Sequence, residues 1–125
     1  MQTNPVKYLR GRCSVEATPK GTRPTVRVRS SYEAAAIRVL EKDPSVLSYE
    51  YEAILRLESG KCILPDFLVR YASGTTLLEI KAAWATRLPA DHKVSLRLDE
   101  SKRYAQQHGW EFAIWTEKEL AHAFG

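Results

Sequence analysis

The sequence predicts one α/β domain with the element order α-β-β-β-α-β-α, and three stretches carry that prediction. Between Val46 and Glu58, Leu47, Tyr49, Tyr51, Ala53, Leu55 and Leu57 alternate with Ser48, Glu50, Glu52, Ile54, Arg56 and Glu58. That period of two marks a strand with one buried face. Upstream, SSYEAAAIRVLEKD (30–43) opens on serines suited to an N-cap and runs through an alanine-rich interior. It meets Pro44, which disfavours helix in the residue before it. Downstream, a helical stretch at 91–108 reaches Gly109, a residue type favoured just past a helix, and the apolar run WEFAIW (110–115) follows at once.

Taken in order, residues 1–24 hold Gly11, Pro19, Gly21 and Pro24 and read as an irregular, basic N-terminal arm, with the domain proper at 25–125. TVRVR (25–29) alternates and suits a short strand or an extended lead-in. The first helix and the long alternating strand come next, and Ser59, Gly60 and Lys61 turn the chain. Two further strands span about 62–71 and 75–82 around a turn at Ala72, Ser73 and Gly74. A loop with Arg87 and Pro89 leads to the second helix, WEFAIW forms the last strand, and 117–124 a short final helix.

A chain of 125 residues buries roughly two-thirds of its unfolded surface and needs no covalent staples. Cys13 and Cys62 lack the spacing of a disulfide framework or a zinc site, so reducing cytoplasm is the expected setting. No apolar run approaches the ~20 residues of a membrane span, and the N-terminus has no signal-peptide apolar core. The net charge of +4 is unevenly spread. Residues 1–30 carry Lys7, Arg10, Arg12, Lys20, Arg23, Arg27 and Arg29 against the single acid Glu16, a balance of +6 that leaves −2 on the rest. A basic arm on a slightly acidic body suits contact with phosphates, and equally a solvated tail.

The residues that carry chemistry lie on three elements. Glu33 shares a helical stripe with Ala36, Ile37 and Leu40, an unusual place for an acid unless it has a partner. Asp66 follows Pro65 at the start of a strand. Glu79 and Lys81 point to one face of the next strand, Leu78 and Ile80 to the other. Singly these are a first-turn acid favoured by the helix dipole, a turn-capping Asp and a surface ion pair. Jointly, a helical acid, an Asp at a strand start and an acid-x-Lys on the adjoining strand resemble the PD-(D/E)xK nucleases. Their restriction-endonuclease-like core is a mixed central sheet flanked by helices (αβββαβ). Phosphodiester hydrolysis explains the residue types: Mg²⁺ takes carboxylates, water and substrate phosphate, and a nearby lysine orients water or stabilises developing charge.

The chain also resembles the catalytic domain of the TnsA-type transposon endonucleases. The matching stretches are SSYEAAAIRVLEKDPSVLSYEYEAILRL (30–57), PDFLV (65–69), EIK (79–81) and ESKRYAQQHGWEFAIWTEKEL (100–120). The resemblance implies that Glu33, Asp66, Glu79 and Lys81 are the catalytic positions. It implies cleavage of DNA at transposon ends with Mg²⁺, for which Mn²⁺ substitutes, in partnership with a DDE transposase. Asp66, Glu79 and the Ile80 carbonyl would ligate the metal, with Glu33 supporting a second ion or a water. Glu79 stands where the family's best-known member has Gln. Members often add a C-terminal domain that contacts a regulatory ATPase, and with the sequence ending at Gly125 that partnership is not expected.

Phosphate contacts are expected from Arg23, Arg27 and Arg29 on the arm and lead-in strand, Arg87 and Lys93 after the catalytic strand, and Arg97, Lys102 and Arg103 on the second helix. Stand-alone phage-type and junction-resolving nucleases of this fold are an alternative, and they work as homodimers because two strands need two active sites. A non-catalytic DNA-binding assembly subunit is another, against which stands the presence of all four site residues. Tyr49, Tyr51, Tyr104, Trp110 and Trp115 are expected to pack the core.

Overall fold

Three antiparallel strands, the first two separated in sequence by a small hairpin, and one added alongside the last make the sheet that carries the site. The computed structural model describes residues 10–16, 19–22, 24–83 and 92–121. Its elements are β1 (Arg10–Glu16), β2 (Thr25–Ser30), α1 (Ser31–Lys42), β3 (Val46–Tyr51), β4 (Leu55–Arg56), β5 (Cys62–Ile63), β6 (Phe67–Tyr71), β7 (Gly74–Ile80), α2 (His92–Gln107), β8 (Glu111–Trp115) and α3 (Glu117–Leu120).

The main sheet has the order β3-β6-β7-β8. β3, β6 and β7 pair antiparallel. β8 pairs parallel with β7, which requires a long crossover, and α2 lies within it. On one face, Tyr49, Phe67, Val69, Leu78 and Ile80 pack with Ala36, Ile37 and Leu40 of α1. On the other, Leu68 and Leu77 pack with Ala105 of α2 and with Leu55 and Ile63 of the small β4–β5 hairpin. This is the mixed sheet flanked by helices that the sequence predicts.

The helix boundaries follow from their caps. Ser30 accepts the Glu33 N–H at 3.2 Å to open α1. Gly109 adopts φ +69°, which any other residue would resist, and lets Trp110 N–H reach back to Ala105 at 2.8 Å to close α2. Thr116 and Glu119 form a reciprocal capping box on α3.

Four expectations are corrected. The strand expected over 46–58 stops at Tyr51, because Glu52 adopts φ +51° and turns the chain, and β4 pairs in a separate sheet. Leu47, expected on the buried face, is 61% exposed, because the register slips between Val46 and Ser48. The strand expected over 62–71 divides around Leu64, Pro65 and Asp66 into β5 and β6. Within the arm, residues 10–16 form β1, antiparallel to β2, because Val15, Val26 and Val28 have core to bury against. Of the final helix, 117–120 is α3 and 122–124 lie outside the described residues. No described helix is long and apolar enough to cross a membrane.

Candidate active site

Asp66 and Glu79 meet at one end of the sheet because β6 and β7 are paired with Phe67 opposite Leu78, which sets the two acids one step further along. Asp66 is fixed by the chain itself: its Oδ2 accepts the Ile80 N–H at 2.7 Å. Glu79 is 4% exposed and on the α2 face, where the Ser101 hydroxyl donates to its Oε1 at 3.4 Å. Burial, then the charge of Asp66 and a hydrogen bond shared with it, push the Glu79 carboxyl up to about 8, against the pull of Lys81 and Arg97. Two carboxyl groups this close hold a proton between them unless a cation replaces it.

Glu33 reaches the same end from α1. It is buried, and both its oxygens accept hydrogen bonds from the protein. The Arg29 N–H donates to Oε1 at 2.8 Å, the Ser30 hydroxyl lies 3.5 Å from that oxygen, and the Tyr51 hydroxyl donates to Oε2 at 3.0 Å. Burial raises its pKa most, the Arg29 N–H lowers it, and Asp66 and Glu52 raise it again by their charge. The phenol of Tyr51 is itself pushed far up by burial and by Glu33, so it stays a donor. Glu33 is therefore both the N3 acid of the α1 capping sequence and a neighbour of Asp66.

Lys81 leaves β7 on the Glu79 face, and its charge is felt at that carboxyl. Its main chain is pinned, the N–H donating to the Trp115 carbonyl at 2.9 Å. Two residues on, the Ala83 N–H donates to Glu117 at 2.9 Å, so β8 and α3 together set where the strand carrying the lysine exits.

A fourth acid, unassigned from sequence, stands here too. Glu52 donates its N–H to the Asp66 carbonyl at 3.0 Å, and its carboxylate lies 3.3 Å from Nη2 of Arg29. It is the one non-glycine residue with positive φ among those described. A left-handed residue costs about 1–2 kcal/mol relative to a relaxed one. The ion pair, with Arg29 73% exposed, returns only about 0.2–1 kcal/mol. Stability alone does not account for a glutamate at this turn.

Of the expected phosphate contacts, Arg27 and Arg29 line the exposed face of β2, and Arg29 is the one that borders the acids. Arg97 acts on Glu79 and lies one helical turn before Ser101, whereas Lys102 and Arg103 are simply exposed on α2. Arg23, Arg87 and the side chain of Lys93 lie outside the described residues. Tyr51, Glu52 and Ser101 were not assigned to the site from sequence. Tyr51 has the pattern of a core aromatic and does pack on Phe67, at 5.3 Å between ring centroids. The one available signal was that Tyr51 and Glu52 continue the stretch leading from the helical acid.

The model of the TnsA-like endonuclease N-terminal domain matches residues 36–117, well over half of the chain. The chain belongs to the TnsA-like endonuclease family. A search of curated proteins returns no match. A nuclease of this family therefore carries Asp66, Glu79 and Lys81 within the matched region and Glu33 just before it. The donors suit a hard cation: two carboxylates on adjacent strand ends are what Mg²⁺ commonly takes beside water and phosphate. Among the described residues no group of three His, Cys, Asp or Glu side chains is gathered to hold a metal.

Proposed function

We propose that this TnsA-like domain is a Mg²⁺-dependent DNA endonuclease, with Mn²⁺ able to substitute, that hydrolyses phosphodiester bonds at transposon ends to leave 5′-phosphate and 3′-hydroxyl termini. The observation that carries the reading is the buried Glu79 set against Asp66, where burial and the Asp66 charge disfavour the Glu79 carboxylate unless a cation is near. Asp66, Glu79 and the Ile80 carbonyl would hold Mg²⁺, which when bound polarises the phosphate, acidifies a water and steadies the leaving oxygen. Asp66, pinned by the Ile80 N–H, sets the ligand position without side-chain searching. Lys81 orients the attacking water and stabilises the charge that develops on the phosphate. Glu33, held by Arg29 and Tyr51, orders a second ion or a water beside Asp66. Arg29 and Arg97 flank the acids and take backbone phosphates, which position a duplex without reading its sequence. A DDE transposase would cut the second strand, and a second copy of the chain would process the second end.

Nicking of supercoiled plasmid with Mg²⁺, Mn²⁺ or EDTA tests this. Nicking is expected with either metal and none with EDTA. Asp66→Asn should abolish both nicking and Mn²⁺ binding by calorimetry. Lys81→Ala should keep metal binding while the rate falls about 10²–10⁴-fold, the range for a lost acid–base group. A wild-type chain that binds metal and DNA but never nicks would instead be an assembly subunit.

A further inference from the structure

We propose that Glu52 is a positioning residue of the active site: it holds the guanidinium of Arg29 at the edge of the carboxylate cluster, where that guanidinium takes a phosphate of the DNA strand. The proposal rests on the nuclease reading above and assigns a residue that reading does not use. Its first support is connectivity. The Arg29 N–H holds Glu33 at 2.8 Å, and the Glu52 N–H holds the Asp66 carbonyl at 3.0 Å. The side-chain pair of Arg29 and Glu52, at 3.3 Å, therefore links the residue that holds Glu33 to the residue that holds Asp66.

Its second support is the exposure of the pair. The Arg29 side chain is 73% exposed and that of Glu52 25%, so the carboxylate is seated in the protein while the guanidinium is presented to solvent. Glu52 engages Nη2, and a guanidinium has five N–H donors in a planar fork, which leaves others for a phosphate. A groove of about 690 Å³ between β2 and β3 has Glu52 and Arg27 in its lining, so Glu52 borders a space that a second arginine of β2 also lines. Its third support is backbone conformation. Glycine meets a left-handed turn without strain, yet this turn carries a glutamate whose ion pair does not offset the strain. Residues held in such conformations cluster at functional sites.

The test combines nicking kinetics, duplex binding by fluorescence anisotropy in EDTA, and melting temperature, for Glu52→Gln, Glu52→Gly, Arg29→Ala and the Arg29→Ala/Glu52→Gln double variant. Glu52→Gln is expected to raise KM about fivefold with little change in kcat, the scale of one misplaced hydrogen bond to an anion. In the Arg29→Ala background it should add nothing, because the two residues act as one unit. Glu52→Gly should show the same KM loss while its melting temperature holds or rises, a split that a purely structural residue does not produce. Additive effects of Arg29→Ala and Glu52→Gln, or tighter DNA binding by Glu52→Gln, would overturn the proposal and leave the nuclease reading intact. A wild-type chain that neither binds nor nicks DNA would overturn both.

Discussion

Glu79 is the residue on which the chemistry and the stability of the site meet. In the folded chain its carboxyl stays protonated up to about 8, whereas an ordinary glutamate ionises near 4.5. Folding thus takes up a proton in that window. The resulting stabilisation is fully present below pH 4.5 and fades as the pH rises towards 8. Melting in EDTA should accordingly move to lower temperature between pH 5 and 8. Glu79→Gln, which imitates the protonated form, should remove most of that slope and stabilise the metal-free chain at pH 8 by roughly 1–3 kcal/mol, given 1.36 kcal/mol per pKa unit. The residual slope belongs to Glu33, whose pKa is also raised. A Glu79→Gln slope as steep as the wild type's would place the proton elsewhere. Tyr51→Phe isolates a different contact, keeping the ring on Phe67 and deleting the donor to Glu33. Denaturant unfolding should show a loss of about 1 kcal/mol for that hydrogen bond.

At the scale of elements, what the sequence made legible were those whose signal is local. α1, β7, α2 and β8 lie within a residue or two of their expected bounds, because caps, Gly109 and alternation act over a few neighbours. The break at Glu52 was hidden, since alternation continues unchanged through Ala53, Leu55 and Leu57 and a left-handed glutamate has no compositional mark. Acid-x-Lys was visible because the residue types are scarce on an apolar strand. Tyr51, Glu52 and Ser101 become part of the site only through pairings between distant elements. β1 was missed for the same reason, its partner strand and core lying outside any local window. The segment that follows it is also tied down. Lys20 Nζ donates to the Asp43 carbonyl at 2.7 Å and so satisfies the C-terminal end of α1, while its own carbonyl accepts the Tyr49 N–H at 3.0 Å. Gly21 lies against the Tyr49 ring, where a Cβ would meet ring atoms at 3.2–3.3 Å. Gly21→Ala should therefore push the ring from Glu41, its partner at 2.9 Å, and cost about 1–3 kcal/mol as overpacking does. Nicking by the folded fraction should stay unchanged; a fall in kcat would show that this contact reaches the site through the Tyr49 ring, which packs on Phe67 beside Asp66.

Across the whole molecule, buried Glu79 beside Asp66 is an electrostatic conflict that the proposed cation would relieve, which would couple metal binding to stability and to protons. Asp66 and Glu79 are carried by adjoining strands of the central sheet, so whatever changes their repulsion acts on the β6–β7 pairing and on both cores packed against it. A cation that binds the folded chain alone stabilises it by RT ln(1 + [L]/Kd), about 2.7 kcal/mol at a hundredfold excess over Kd. For a domain between the small and medium classes this amounts to several degrees in melting temperature. The proposed ion would also displace the proton held at Glu79, since a metal ligand must be ionised. Calorimetry with Mn²⁺ at pH 7 in buffers of different ionisation enthalpy should therefore register the release of about one proton per ion bound. Release should diminish as the pH is raised past 8, where Glu79 has already ionised. Asp66→Asn should lose the stabilisation and the proton release together, because the pair is then broken. Stabilisation by Mn²⁺ that persists in Asp66→Asn, or binding without proton release at pH 7, would mean that the ion sits away from this pair.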